Sequence, residues 1–173
     1  PAEEIKKRSK EALEKVHLNG LEDRKVATLS GGQRQRLVVA AVLAEEPEVL
    51  VFDEPTSALD PEGVREFYEM VGELNQKAGL TVIVAEHHLE ATLPYATEFI
   101  LMDEGRIISE GSPENVMRYM NQNHIYEEAI PDLYRAQLDL EKAGITFEKP
   151  FLNIEDAEIS VLSSMERGGE NHA

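Results

Sequence analysis

Two short apolar runs in the first half of the chain predict the strands of a sheet. Residues 49–52 read Val-Leu-Val-Phe, and residues 80–85 read Leu-Thr-Val-Ile-Val-Ala. Short continuous runs of this kind are typical of strands that are buried on both faces. Between them, residues 61–78 carry apolar side chains at helical spacing, so a parallel strand pair with a crossover helix is expected. The pattern predicts an α/β fold.

Helical and hairpin signals surround this strand pair. An amphipathic pattern over residues 3–18 predicts a helix that stops at Asn19-Gly20. Farther along, Asp103-Glu104-Gly105 lies between two apolar runs, which is a hairpin signal. After the hairpin the sequence predicts helices at residues 112–120 and 131–143, and then a frayed tail from Ser163.

Ser30 is expected to begin a helix whose first turn is open to anions. Gln33 follows three residues later, ahead of an apolar block at residues 37–44, which is the pattern of a capping box. Gly31 and Gly32 place no side chain over the first-turn N–H groups. A bare helix N-terminus attracts anions through its free donors and its dipole. Taken alone, the pattern also fits a capped helix without a ligand.

The first predicted strand ends in two adjacent carboxylates, Asp53 and Glu54. In open α/β sheets the carboxyl ends of the strands face the ligand crevice. Adjacent carboxylates there can divide phosphate chemistry between them, one binding Mg²⁺ and one acting on the attacking water. Taken alone, they also fit an acidic turn. Asp60, followed by Pro61, is expected to cap the next helix.

The composition of the chain argues against several classes of function. The formal net charge is −17, from 17 basic and 34 acidic residues, which argues against a general nucleic-acid binder and against attraction to an acidic membrane surface. No apolar run is long enough to span a membrane. The chain has no cysteine, so it has no disulfide framework.

Together these residues resemble the motifs of the ATP-binding cassette (ABC) family. Residues 29–33 match its signature motif, residues 49–54 its Walker B strand with the catalytic glutamate, and residues 57–60 its D-loop. The resemblance identifies the fold as a P-loop NTPase-type α/β fold, with parallel strands and crossover helices, a small β-hairpin and a helical C-terminal extension.

The resemblance also places a switch histidine, which senses the γ-phosphate, at His87 after the second strand. Glu86 and His88 stand where the family usually has a hydroxyl residue before this histidine and an acid after it. Residues 127–159 resemble, more weakly, the C-terminal extension of cobalt-type and energy-coupling-factor ATPases.

This family membership would imply an ATPase that uses ATP and Mg²⁺ to power a membrane transporter. Its partners would be a second ABC ATPase domain, identical or different, and a transmembrane subunit that holds it at the cytoplasmic face of the cell membrane, with no nucleic acid. The implied roles are γ-phosphate contact across the dimer for Ser30, Gly31, Gly32 and Gln33, Mg²⁺ binding for Asp53, water activation for Glu54, γ-phosphate sensing for His87, and a link between the two sites for Asp60.

No Gly-x-x-x-x-Gly-Lys-Ser/Thr motif occurs in the chain, so the phosphate-binding Walker A loop of the family is missing. The resemblance therefore indicates the C-terminal portion of a nucleotide-binding domain, truncated before the signature. The expected parts are the end of a helical subdomain at 1–29, the motif-bearing part at 30–124, a helical extension at 125–162 and a flexible tail at 163–173. Two alternatives stay open: a non-transport ABC ATPase of DNA repair or translation, and an inactive regulatory or binding module.

Overall fold

The computed structural model describes residues 2–87, 89–147 and 149–170. The chain folds into two compact units, Pro1–His87 and His88–Ala173. This division falls earlier than the expected end of the motif-bearing part at residue 124. His88, one of the two residues that flank the expected switch histidine, lies outside the described residues.

The first unit combines helices with a parallel strand pair. Its elements are α1 (Ala2–Lys15), a short 3₁₀ turn (Val26–Thr28), α2 (Gly31–Leu43), β1 (Val49–Asp53), α3 (Pro61–Ala78) and β2 (Thr81–Ala85). Strands β1 and β2 are parallel, with Val49 opposite Thr81 and Asp53 opposite Ala85, and α3 forms the crossover between them. The α/β prediction is confirmed.

One expectation for these strands is wrong, because β1 is not buried on both faces. Leu50 is 3% exposed, whereas Val49 is 48% and Val51 70% exposed, and Ile83 on β2 is 52% exposed. Successive side chains of a strand point to opposite faces of the sheet. Within the described residues, helices cover only the face that carries Leu50.

The core of the first unit lies between its helices and the covered face of the sheet. Helix α1 packs on α2, α2 on α3, and α3 on β2. On α3, Phe67 is 1% exposed and stacks edge-on against Phe52 of β1, with ring centroids 5.4 Å apart. The ring of Tyr68 packs edge-on against Phe67 at 5.5 Å.

Local signals fix most helix ends in this unit, with one exception. Asp60 caps α3, Pro61 occupies its first turn, and Gly79 ends it in the left-handed conformation, as predicted. Helix α1, however, ends at Lys15, before the predicted stop at Asn19-Gly20. The His17 and Leu18 amides turn back to the Glu14 and Leu13 carbonyls, with His17 at φ 58°. This is a Schellman end with a histidine at the left-handed position that glycine usually takes.

Among the described residues, the second unit contains the predicted hairpin and four helices. Its elements are α4 (Leu89–Thr92), β3 (Phe99–Asp103), β4 (Arg106–Gly111), α5 (Pro113–Asn123), a 3₁₀ turn (Glu127–Ala129), α6 (Asp132–Lys142) and α7 (Ile154–Glu170). Glu104 and Gly105, at the tip of the antiparallel hairpin, both have positive φ, as a two-residue turn that matches the strand twist requires.

The core of the second unit runs through the expected C-terminal extension. One buried cluster joins Leu93, Val116, Met117 and Met120 to Ile130, Tyr134 and Leu138. Residues on both sides of the expected boundary at 124 and 125 therefore share a single core. Helix α7 continues to Glu170, where the sequence predicts a frayed tail from Ser163. None of the described helices is long and apolar enough to cross a membrane.

Candidate functional site

The N-terminus of α2 is closed by the predicted capping box. The Ser30 Oγ accepts a hydrogen bond from the Gln33 amide at 3.2 Å, and the Ser30 amide donates to the Gln33 Oε1 at 3.0 Å. Both side chains act here as acceptors. The hydroxyl proton of Ser30 and the amide NH₂ of Gln33 are therefore still available as donors to a ligand.

Gly31 and Gly32 leave the surface of this first turn open. A Cβ built on either glycine meets no atom of the described chain within 4 Å. Packing among the described residues therefore does not require a glycine at either position. An open first turn with unused donors is suited to the close approach of an anion, because the N–H groups and the helix dipole both favour negative charge.

A pair of glycine substitutions tests whether Gly32 serves only contacts outside this chain. We expect Gly32→Ala to raise the free energy of unfolding by up to about 1 kcal/mol, since alanine is the better helix former and nothing crowds its Cβ. Gly63→Ala is the matched contrast, because its Cβ would lie 2.9 Å from the Asp60 Oδ1 that caps α3. Displacing that cap costs about 1 kcal/mol and offsets the same gain in helix propensity, so Gly63→Ala should have a lower free energy of unfolding than Gly32→Ala. Urea unfolding measures both changes, and a destabilised Gly32→Ala variant would show that the glycine is needed within this chain.

Asp53 and Glu54 lie where the sequence predicts, at the carboxyl end of β1. The Glu54 amide donates to the Ala85 carbonyl at 3.0 Å and extends the pairing with β2 by one residue. Glu54 has φ 44°, a left-handed conformation that is uncommon for a residue with a side chain. Asp53 is exposed and makes no side-chain hydrogen bond or ion pair within the described residues, so its carboxylate is available to a ligand.

The structure brings the two expected catalytic side chains together. Glu54 Oε1 lies 2.8 Å from Nε2 of His87, which follows β2. The Glu54 side chain is 50% exposed and that of His87 is 79% exposed. A polar contact between side chains this exposed contributes about 0–1 kcal/mol, so a ligand can separate the two groups at little cost.

Glu86 accepts hydrogen bonds from two side chains and one backbone amide. Its Oε1 accepts from the Thr56 Oγ1 at 2.6 Å and from the Tyr68 Oη at 2.9 Å. Its Oε2 accepts from the backbone amide of His87 at 3.2 Å. The sequence does not mark Thr56 or Tyr68 as functional, because a threonine in a turn and a tyrosine beside a buried phenylalanine carry no signal of their own.

Asp60 and Arg36 make contacts that stabilise the helices of the first unit. The Asp60 Oδ1 accepts from the Gly63 amide at 2.8 Å, so its predicted capping role is confirmed, and its role as a D-loop link stays a prediction. The Arg36 side chain is only 12% exposed and is paired with Glu66, which joins α2 to α3.

Asp53 is the candidate metal ligand at the end of β1. In residues 2–87, 89–147 and 149–170, no group of three or more His, Asp or Glu side chains could hold a metal ion. Mg²⁺ in nucleotide sites is usually held by one or two carboxylates, several waters and the substrate phosphates. The exposed Asp53 carboxylate fits that arrangement, because the nucleotide supplies most of the ligands.

Comparison with known proteins identifies the family. The family model described as "ABC transporter" matches residues 3–57, which include the α2 N-terminus, Asp53 and Glu54 but not His87. The chain is 38% identical to the energy-coupling factor transporter ATP-binding protein EcfA2 of Bacillus cereus over 96% of its own length and 58% of the relative. The chain belongs to the ABC ATPase family.

Other ABC proteins support the same family and fold. EcfA2 of Bacillus subtilis is 41% identical over 90% of the chain and 57% of the relative, so the chain spans less than two thirds of both relatives. The solved structure of cbiO1 from Clostridium perfringens, described as part of the ABC transporter complex cbiONQ, matches with a TM-score of 0.63 and 38% identity. That match covers 70% of this chain and 51% of that chain. The P-loop NTPase-type fold class is thereby confirmed.

Proposed function

We propose that this chain forms part of the ATP-hydrolysing subunit of an energy-coupling-factor type ABC transporter. The observation that carries the proposal is the contact of Glu54 with His87 at the carboxyl ends of two neighbouring parallel strands. A carboxylate and an imidazole at this edge of a sheet can act on one phosphate together, the first on the attacking water and the second on the γ-phosphate oxygens.

Glu54 and His87 have complementary tasks in this proposal. Glu54 orients the water and accepts its proton, and His87 donates an N–H to the γ-phosphate as charge develops. When no phosphate lies between them, each satisfies the other at 2.8 Å. Nucleotide binding therefore replaces an exposed and weak contact with two stronger ones.

The donors at the start of α2 serve a second phosphate contact. Ser30, Gly31, Gly32 and Gln33 would bind the γ-phosphate of ATP held by a second ABC ATPase domain, identical or different. Their open surface supports this, since the first turn is not covered within the described chain. Asp60 would link the two sites of the dimer, because it caps α3 directly after the D-loop.

Mg²⁺ and a phosphate cradle complete the site. Asp53 would hold Mg²⁺, which neutralises charge on the transferring phosphoryl group when it is bound. The cradle of backbone amides and a lysine that grips the β- and γ-phosphates is a Walker A loop, and these 173 residues contain none. We therefore propose that a Walker A segment outside this sequence contributes to the working site.

The partners follow from the transporter relatives. Because EcfA2 is named as an energy-coupling factor transporter ATP-binding protein and cbiO1 as part of the complex cbiONQ, we propose a transmembrane subunit as partner. This partner would hold the subunit at the cytoplasmic face of the membrane. The net charge of −17 favours this assignment over a non-transport relative that works on nucleic acid.

A histidine substitution tests the proposed site. In a protein that carries this sequence together with a Walker A segment, we expect His87→Ala to lower kcat at saturating Mg-ATP by about tenfold or more. The lost donor to developing charge is worth at most about 2.7–4 kcal/mol. Steady-state phosphate release measures the change.

Two other histidines provide the controls. His88→Ala should stay within about threefold of wild type, a change below about 1 kcal/mol in the activation free energy. His124 forms a matched exposed pair, because its Nδ1 lies 2.9 Å from Glu127 and its side chain is 82% exposed. Since His124 has φ 56°, the control is His124→Asn, which tolerates that conformation and should leave kcat unchanged. A crippled His88→Ala with an active His87→Ala would move the switch role to His88.

A further inference from the structure

The carboxylate of Glu86 joins three parts of the first unit at one point. Its Oε1 accepts from Thr56, which lies two residues after Glu54, and from Tyr68 on α3. Its Oε2 accepts from the backbone amide of His87. The turn after β1, the helix after the D-loop and the end of β2 are therefore connected through one side chain.

The two hydrogen bonds to Oε1 are better protected from water than the contact between the catalytic side chains, whereas the bond from the His87 amide to Oε2 is exposed. Tyr68 is 2% exposed, and both bonds to Oε1 are partly buried. Burial raises the pKa of Tyr68, and the hydrogen bond to Glu86 raises it further by a smaller amount. The Tyr68 phenol therefore remains a proton donor at neutral pH. Hydrogen bonds to an ionised carboxylate are roughly twice as strong as neutral ones.

The exposed contact between Glu54 and His87 cannot by itself hold the two groups in position. The Glu54 and His87 side chains are 50% and 79% exposed, and solvent competes for both. Thr56 and the His87 amide, by contrast, both bind the Glu86 carboxylate, and the bond from Thr56 is partly buried. A serine or threonine in place of Glu86 is shorter and brings no charge to bridge two hydroxyl donors.

We propose that Glu86 is a positioning residue that holds His87 in register with Glu54 by binding Thr56 and Tyr68. The inference rests on the proposed function for its effect on turnover, and on the hydrogen bonds alone for the linkage itself. In this scheme Glu86 acts through its hydrogen bonds to Thr56, Tyr68 and the His87 amide. It fixes the backbone on which His87 stands and the turn that follows Glu54.

The linkage can be measured on the 173-residue chain without any turnover. In ¹H–¹⁵N spectra we expect Tyr68→Phe and Thr56→Val each to shift the backbone amide resonance of His87, because each removes one donor from the carboxylate that this amide binds. In urea unfolding, Tyr68→Phe should lower the midpoint in the wild-type chain and have little effect in Glu86→Ala.

Tyr134→Phe is the matched control for Tyr68→Phe. Tyr134 is fully buried, and its Oη has no hydrogen-bond partner among the described residues, so the same substitution removes no such bond. Tyr134→Phe should leave the His87 amide resonance unshifted, and the urea midpoint should be unchanged or slightly higher. An unshifted His87 amide in Tyr68→Phe, or equal effects of Tyr68→Phe with and without Glu86, would overturn the linkage.

Turnover tests the positioning role. In a protein that also carries a Walker A segment, Tyr68→Phe should lower kcat by about three- to tenfold, with the KM for ATP changed by less than about twofold. In a His87→Ala background the same substitution should lower kcat no further, because its effect passes through His87. A purely structural role would lower stability in both backgrounds and leave kcat unchanged well below the unfolding temperature.

Different results would contradict the positioning role of Glu86 and the proposed function. If the wild-type protein hydrolyses ATP and Tyr68→Phe leaves kcat unchanged, or if the kcat losses of Tyr68→Phe and His87→Ala multiply, the positioning role is wrong and the proposed function stands. If the amide shifts and the coupling are found but the wild-type assembly shows no turnover, the linkage stands and the proposed function is wrong.

Discussion

Replacing Glu54 by glutamine is expected to lower kcat by about 10²–10⁴-fold, the usual range for loss of a general base. Glutamine keeps the shape of the side chain and an oxygen that can still accept from His87 Nε2, which lies 2.8 Å away. It removes the charge that takes the proton from the attacking water. The expectation applies to a protein in which a Walker A segment accompanies this sequence, and phosphate release at saturating Mg-ATP measures it.

The same variant should bind ATP and accumulate as a closed dimer, because only the chemical step is blocked. Size-exclusion chromatography with bound-nucleotide analysis measures this. Glu104→Gln is a matched control, since Glu104 is also exposed, follows a strand and has φ 44° like Glu54. It should have wild-type kcat. Retained turnover in Glu54→Gln would place the base elsewhere; Glu86 is a poor substitute, because Thr56 and Tyr68 already bind its carboxylate.

The 173-residue chain by itself should show no measurable ATP hydrolysis. Phosphoryl transfer depends on positioning and on charge stabilisation, and positioning alone can supply about 7–11 kcal/mol of the barrier. The described residues supply Glu54, His87 and the donors of α2, but the sequence contains no Walker A motif to grip the β- and γ-phosphates. A phosphate-release assay on the purified chain measures the rate.

Contaminating ATPases are the main risk in this assay. The Glu54→Gln form of the same chain, purified in parallel, reports the background and should give the same rate as wild type. A wild-type turnover near one per second that survives further purification and disappears in Glu54→Gln would contradict the prediction. It would show that the phosphates are held by groups other than a Walker A loop.

Local sequence patterns determined most of the elements of this fold. The capping box of Ser30 and Gln33, the Asp60 cap and the Gly79 stop all depend on groups within about four residues of each other, so the sequence alone predicts them. The same holds for the hairpin at Glu104 and Gly105, whose two positive φ angles follow from the turn type. The strand ends then place Asp53, Glu54 and His87 at one edge of the sheet.

Contacts between residues that are far apart in the sequence became known only from the tertiary structure. Glu86 meets Thr56 and Tyr68, which are 30 and 18 residues away in the chain, and no short-range pattern encodes such a meeting. The exposure of Val51 depends in the same way on which face of the strand pair the helices cover.

The early end of α1 is a second feature that the sequence pattern did not predict. The sequence offers Asn19-Gly20 as a stop, yet the helix ends at Lys15 with His17 in the left-handed conformation. That end places Val16 and Leu18 in the core, where they are 0% and 1% exposed. The sequence by itself therefore determined the elements and the edge that carries the candidate site, because those signals are local. Packing between distant segments decided the partners of Glu86 and the end of α1, because burial is settled only when the whole unit is assembled.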